Sequence, residues 1–360
     1  MSDVQHGATV GAGIAARATP VMTARLSEIS FSDIYLSTDP QAPLLALNVT
    51  GINLGVAGLE RAPRSLPDIF RADAANLLAE VERKWAAERF LPEFTHAFDG
   101  VRYRCSQISA PVSMAAEPRE SARVGDRRNW CLRRIDAAQM SLAALGLPSW
   151  CAEEITGLGA SSGLLLVAGA FASGKTTTSA ACLRQWVDKH GGVGVTIEDP
   201  PEKMLEGYYE GGQIYQIAVR DNAVADAIRA SRRWAYRYLF LGEVRDQTGA
   251  EELLQIALGG PMVLTTIHAA GAVEALMALS KFGAGRGGAE AVNDRIAACV
   301  LGVVWQSITK GRLEVQYLSF RGRNAAAMRT KISDGRFRLL REDLAFQTNL
   351  RNLGRFAESF

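Results

Sequence analysis

The sequence predicts an α/β protein: a mostly parallel sheet covered by helices, preceded by a smaller α+β domain. Three observations predict it. From about Trp150 onward, short apolar runs alternate with helical patterns, as strands buried on both faces require. A glycine-rich loop stands between one such run and a helix. Ahead of Trp150 the pattern differs, with alternating strands around one segment of helical spacing.

In chain order, residues 1–25 are rich in Ala, Gly and Thr and read as a mobile tail. They lack the basic start and apolar core of a signal peptide. Residues 26–145 form the α+β domain. Phe31–Leu36 alternates as a strand does, Leu44–Val49 is a second candidate, and Val101–Cys105 alternates again. Asp68–Phe90 carries Ile69, Leu77, Leu78, Val81 and Trp85 at helical spacing. Ala115–Arg128 is polar, charged and nearly free of large apolar groups, so it reads as an exposed loop or linker. Leu145-Gly146-Leu147-Pro148 closes the region with turn chemistry. Residues 146–360 then form the α/β domain. Its strands are Leu164–Ala168, Val193–Ile197, Tyr238–Leu241 and Met262–Ile267, with a helix from Lys175 to His190 and a helical C-terminal part.

Composition bounds the function. Lys and Arg number 40 against 38 Asp and Glu, a net charge of +2, so charge makes no case for nucleic acid as the main partner. No basic, aromatic-laced tract is evident. No stretch approaches the roughly 18 apolar residues that span a bilayer. Cys105, Cys131, Cys151, Cys182 and Cys299 are odd in number and lack metal-ligand spacing, which suggests reduced, mostly buried thiols. His6, His96, His190 and His268 are too scattered for a zinc site. The expectation is a cytoplasmic protein whose membrane contact comes through partners.

The chemistry begins at Gly169-Ala170-Phe171-Ala172-Ser173-Gly174-Lys175-Thr176, which matches G-x-x-x-x-G-K-[ST] in full and runs on into Thr177. Its glycines let the backbone curl so that successive N–H groups point at phosphate oxygens, and the helix start adds partial positive charge. Lys175 would reach the β- and γ-phosphates and Thr176 would ligate Mg²⁺, with ATP as nucleotide. Phosphoryl transfer also needs a carboxylate near the metal and a group that orients water. Glu198, Asp199 and Glu202 follow one strand directly. Glu243 follows another, as Gly-Glu where many phosphate-loop enzymes have Asp. Ligands gather at such carboxyl ends in an open α/β sheet. His268 ends a third strand and is either a packed or hydrogen-bonded structural residue or a γ-phosphate sensor.

Taken together, Gly169–Thr176, Thr196-Ile197-Glu198-Asp199-Pro200, Gly242-Glu243-Val244-Arg245-Asp246 and Thr265-Thr266-Ile267-His268-Ala269 resemble the secretion ATPase superfamily of type II and type IV secretion and pilus systems. That family carries a Walker A loop, an Asp box, an atypical Walker B and a His box in this order. Ser32–Ser37 looks like the strand opening the family's PAS-like N-terminal domain, and Val101–Arg104 is similar to its R-[FY]-R strand.

The resemblance implies a RecA-like ATPase core in a hexameric ring that works with inner-membrane secretion or pilus platform proteins. Glu198 would polarise the attacking water, Glu243 would support the metal, and His268 would sense the γ-phosphate. Arginines offered to a neighbouring subunit would be Arg102 and Arg104, with Arg133 and Arg134 as further candidates.

Some positions depart from the family. Ala172 stands where many relatives have Gly, and Trp234–Tyr238 replaces the usual Asp-Pro-Asp stretch. A tetracysteine motif and an A-I-R-N-L-I motif are both missing. These departures favour a type IVB secretion, conjugation or plasmid-borne pilus system over a standard retraction or type II enzyme. Two alternatives follow: a nucleotide-gated assembly ring that barely hydrolyses ATP, and a nucleic-acid motor sharing the core. No L-S-G-G-Q-like or N-K-x-D segment points to transporters or small GTPases.

Overall fold

The computed structural model describes residues 23–52, 62–88, 90, 93–108, 128–135, 141–219, 223–284, 288–309 and 312–354. The tail, apart from residues 23–25, and the polar loop expected at 115–128, apart from Arg128, lie outside the described residues. The chain divides into two compact units, one of residues 1–100 and 105–134, the other of residues 101–104 and 135–360.

The first sheet and its helix comprise β1 (Asp33–Ser37), β2 (Leu45–Leu47), β3 (Arg64–Ser65), α1 (Arg71–Ala87), β4 (Glu93–Phe98), β5 (Val101–Ile108) and β6 (Asn129–Ile135), all of the first unit apart from residues 101–104 and 135. The sheet runs β3-β2-β1-β6-β5-β4, with β1 antiparallel to both β2 and β6. Alternation along β1 buries Ile34 and Leu36, and α1 buries Leu77 and Val81. Trp130 packs edge-on to Trp85 and Phe94, and its indole N–H donates to Glu82 at 2.6 Å. A buried aromatic with a polar tip needs such a partner. The expected α+β character stands, with α1 beginning after Asp68 and ending before Phe90.

The second unit comprises α2 (Ser149–Leu158), β7 (Gly163–Gly169), α3 (Lys175–His190), β8 (Gly192–Glu198), β9 (Gly207–Tyr209), β10 (Gly212–Ala218), α4 (Val224–Ser231), β11 (Tyr238–Leu241), α5 (Gln247–Ala257), β12 (Met262–His268), α6 (Ala272–Gly283), α7 (Gly288–Cys299), β13 (Val300–Thr309), β14 (Arg312–Ser319), α8 (Ala325–Ser333) and α9 (Leu340–Asn352). Its sheet has the order β14-β13-β7-β12-β11-β8-β10-β9. The strands from β13 to β10 are parallel, and β14 and β9 are antiparallel edges.

Strand β7 shows why the central runs are wholly apolar. Leu164, Leu166 and Ala168 face one core, with α4, α5, α6 and α7. Leu165 and Val167 face the other, with α2 and α3. Each fully buried Leu contributes roughly 1.5–3 kcal/mol of transfer free energy.

One expectation is corrected: the domain boundary placed at 145/146 falls earlier, at Ile135, and Leu142 and Leu147 pack with α2 and α3. The C-terminal part is helical in α8 and α9, and ahead of it β13 and β14, not expected from the sequence, extend the sheet. Helix α7 ends at Cys299 and β13 starts at Val300, so no Gly or Pro marks the change of period.

Four of the five cysteines (Cys105, Cys151, Cys182 and Cys299) are buried, and all five are free thiols. Among the described residues no helix is long and apolar enough to cross a membrane.

Candidate active site

The parallel register sets the site. His268 lies opposite Gly169, and Leu241 lies opposite both Thr265 and Ile197. The carboxyl ends of β7, β8, β11 and β12 therefore share one edge, and each delivers one expected group.

The loop after β7 is held in a phosphate-cradling curl by glycine geometry. A Cβ on Gly169 would sit 2.3 Å from the Gln306 carbonyl oxygen, so no side chain fits there. Gly174 has φ 84° and ψ 14°, the left-handed region, immediately before α3. No side chain caps the first N–H groups of α3, which leaves them available to an anion. Ala172 is also left-handed, at φ 58°. For a residue with a Cβ this costs roughly 1–2 kcal/mol, a strain that glycine would avoid. Phe171 is exposed at the loop tip and stacks against the His268 ring, with centroids 6.4 Å apart.

Lys175 opens α3 and is buried. Its Nζ donates to the Ala170 carbonyl at 2.8 Å and approaches His268 Nδ1 at 3.4 Å. Burial pulls its ammonium below the usual lysine range, and Glu243 and Glu202 oppose that fall. His268 Nε2 lies 3.1 Å from Glu243 Oε1, and Glu243 Oε2 accepts from Arg245 Nε at 3.1 Å. With Lys175 donating to Nδ1, the ring's other nitrogen is the donor to Glu243. His268 thus links the phosphate-loop lysine to the Walker-B-like acid. Thr176 and Thr177 follow Lys175 on the first turn of α3, half-buried.

Glu198, at the end of β8, is 3% exposed. Burial raises its carboxyl to about 6; a hydrogen bond from Gln216 opposes that rise. Gln216 Nε2 donates to Glu198 Oε1 at 2.9 Å. The structure therefore brings Lys175, Glu243 and His268 into one bonded chain and places Glu198 on the same sheet edge.

The residues fit Mg²⁺ in kind. No group of three or more His, Cys, Asp or Glu able to cage a metal occurs among the described residues. Mg²⁺ ordinarily takes one or two protein oxygens together with phosphates and water. The Thr176 hydroxyl and Glu243 carboxylate are such a set.

Other expected residues fall elsewhere. Asp246 caps α5, accepting from Gly249 N at 2.7 Å. Arg102 and Arg104 stand on β5 beside the site: Arg102 donates to Gln216 at 3.4 Å and Arg104 pairs with Glu202 at 3.6 Å. Arg133, on β6, donates to the buried Asp33 at 2.8 Å, and Arg134 donates to the Ile29 carbonyl at 2.8 Å. Both are engaged locally.

The sequence reading missed Gln306, which is 1% exposed on β13 and whose Nε2 donates to the Ser173 carbonyl at 2.6 Å. Its signal was a lone amide directly after the apolar run Val300–Trp305, since a buried polar group must find a partner.

The expected absence of a basic, aromatic-laced tract is also corrected: Arg229–Tyr238 is one. Arg232, Trp234 and Arg237 line an open cavity of about 740 Å³ with Ser161 and Pro261, at the amino-terminal side of the sheet. Arg229 and Arg232 are paired with Asp226 and Glu252, which neutralises much of its charge.

Fold and site together define a phosphate-loop α/β protein. Residues 123–353 match the family described as Type II/IV secretion system protein, and the chain belongs to that family. The type IV pilus assembly ATPase TfpB of Acinetobacter baylyi is 40% identical over 123 residues, 34% of this chain and 20% of that protein. Type II secretion system protein E of Dickeya dadantii is 27% identical over 254 residues, 70% of this chain and 47% of that one. The chain thus spans less than half the length of these relatives. The solved pilus retraction motor PilT with bound ADP superposes with a TM-score of 0.65 at 24% identity, covering 89% of this chain and 86% of that one. The Legionella pneumophila ATPase DotB gives 0.63 at 20% identity, covering 86% and 84%. At these identities the structural likeness is one of fold.

Proposed function

We propose that the chain is a Mg²⁺-dependent ATPase. In this reading it forms a homohexameric ring at the cytoplasmic face of the inner membrane and turns hydrolysis into domain motion for a type IV secretion, conjugation or pilus machine. One observation carries it: the phosphate loop, Lys175, Glu198, Glu243 and His268 converge on the carboxyl edge of one parallel sheet. The names of the pilus and secretion relatives, and the ADP in the PilT structure, support ATP as substrate.

In this reading the loop N–H groups and Lys175 hold the β- and γ-phosphates. Bound Mg²⁺ supplies charge neutralisation on the phosphate oxygens. Glu198, with a carboxyl near 6, accepts a proton from the attacking water, because a general base works best when poised near the operating pH. His268 joins the phosphate end of the site to Glu243. Any arginine supplied by a neighbouring subunit, from among Arg102, Arg104, Arg133 and Arg134, would act on the developing charge.

The test is phosphate release alongside nucleotide binding. Lys175→Ala should lose both. Glu198→Gln should bind nucleotide as wild type and turn over at least a hundredfold more slowly, within the general range for acid–base groups. Wild-type turnover in Glu198→Gln would place the base elsewhere.

Ala172 in the left-handed region favours a second reading, a ring gated by ATP that barely hydrolyses it. Phosphate release with and without membrane components separates the two, since this second ring stays slow in both.

A further inference from the structure

Gln216 faces Thr196 across the β10–β8 pairing, and its amide is fully engaged. Its Nε2 donates to Glu198 Oε1 at 2.9 Å and to the Lys203 carbonyl at 2.7 Å. Its Oε1 accepts from Leu205 N and from the Arg102 guanidinium Nη1, each at 3.4 Å. The partners therefore fix the orientation. A flipped amide would set oxygen against both a carboxylate and a carbonyl. One neutral side chain thus holds the acid at the end of β8 and, with it, the backbone five and seven residues further along.

We propose that Gln216 is the positioning residue of this site: it aims the Glu198 carboxylate and ties that aim to the 203–205 segment. The proposal rests on the reading of Glu198 as the group that polarises the attacking water. A glutamate at 216 could not do the same work, because it would offer acceptors to acceptors.

The surroundings of Glu198 make the effect measurable. Burial raises the carboxyl to about 6 and the Gln216 bond opposes the rise. The charged group acting on it is Glu202, whose carboxylate raises it while its backbone N–H lowers it. From β11 the neighbour is uncharged Gly242, where a Cβ would lie 3.1 Å from Glu198 Cγ. Loss of the Gln216 bond therefore favours the protonated acid.

The experiment compares the pH profile of ATP turnover in Gln216→Met, Gln216→Glu and wild type, with nucleotide affinity measured on each to confirm a folded site. Gln216→Met should keep KM and lower kcat at pH 7 roughly tenfold, with the acid limb moved up by about one pH unit. Gln216→Glu should move it further, because two facing acids resist joint ionisation. A fall in kcat at all pH values with the limb unmoved would make Gln216 structural only, and an unchanged kcat would remove it from the site; either overturns the proposal. Glu198→Gln run in parallel locates a deeper failure: if it turns over as wild type, the assignment of the base is wrong and the Gln216 proposal falls with it.

Discussion

At the scale of single residues, the site is organised by what burial does to charge. Glu198 is a carboxylic acid held near 6 by desolvation. In its proposed role as base, Glu198 must be ionised to accept a proton. Turnover should therefore be low at pH 5, half its plateau near pH 6, and level by pH 7 to 8 if no other group titrates. A steady phosphate-release assay across that range checks it, and a profile flat down to pH 5 would contradict it. The acids and histidine were legible because each stands at or just after the end of an apolar run, where α/β sheets place ligands. The lysine was legible because it closes the glycine-rich motif. Their mutual bonding was not legible. Nothing in the spacing of Lys175, Glu243 and His268 says that the imidazole joins the other two. Pairwise geometry at a sheet edge is fixed by register across strands distant in sequence.

At the scale of elements, the motif around Glu243 divides into two jobs. Glu243 belongs to the site, whereas Asp246 starts a helix by capping α5. Asp246→Ala should lower stability by about 1 kcal/mol, the usual worth of an N-cap, while leaving nucleotide affinity unchanged. Denaturant melts and a binding titration read the two separately. Gln306→Leu should do the reverse. It removes the donor to the Ser173 carbonyl and loosens the loop, so nucleotide affinity should fall roughly tenfold, for a bond of about 1–1.5 kcal/mol. Strands β7, β8, β11 and β12 were legible because their apolar runs are bounded by glycines or polar turns. Strand β13 was not, since it continues a helix without punctuation, and Gln306 went unseen with it. The hairpin of β9 and β10 was missed for another reason. Tyr208 and Tyr215 are exposed, so the segment lacks the buried run of the central strands.

At the scale of the whole molecule, the two units have separate sheets, and the phosphate loop belongs wholly to the second. Calorimetry should resolve two unfolding transitions. Saturating Mg-nucleotide should raise the one belonging to residues 135–354, by about 2.7 kcal/mol at a hundredfold excess over Kd. A single transition shifted as one would mean that the units unfold cooperatively. The two-part organisation was visible in the sequence as a change of pattern near Trp150. Its boundary was not, because Leu142 and Leu147 lie in turns without helix or strand periodicity yet belong to the second core.

The buried thiols have a practical consequence. Burial holds Cys105, Cys151 and Cys299 at about 12 and raises Cys182 well above the usual thiol range. Only thiolate reacts with alkylating dyes, so at pH 7 roughly one in 10⁵ of a thiol held at 12 is reactive. Native Cys131, half-buried and also raised, is the one position that would need Cys131→Ser. With that change, a fluorophore on an exposed site such as Thr348→Cys of α9 would label selectively. Any motion that accompanies turnover in the proposed ring could then be followed by fluorescence with the interior cysteines left in place.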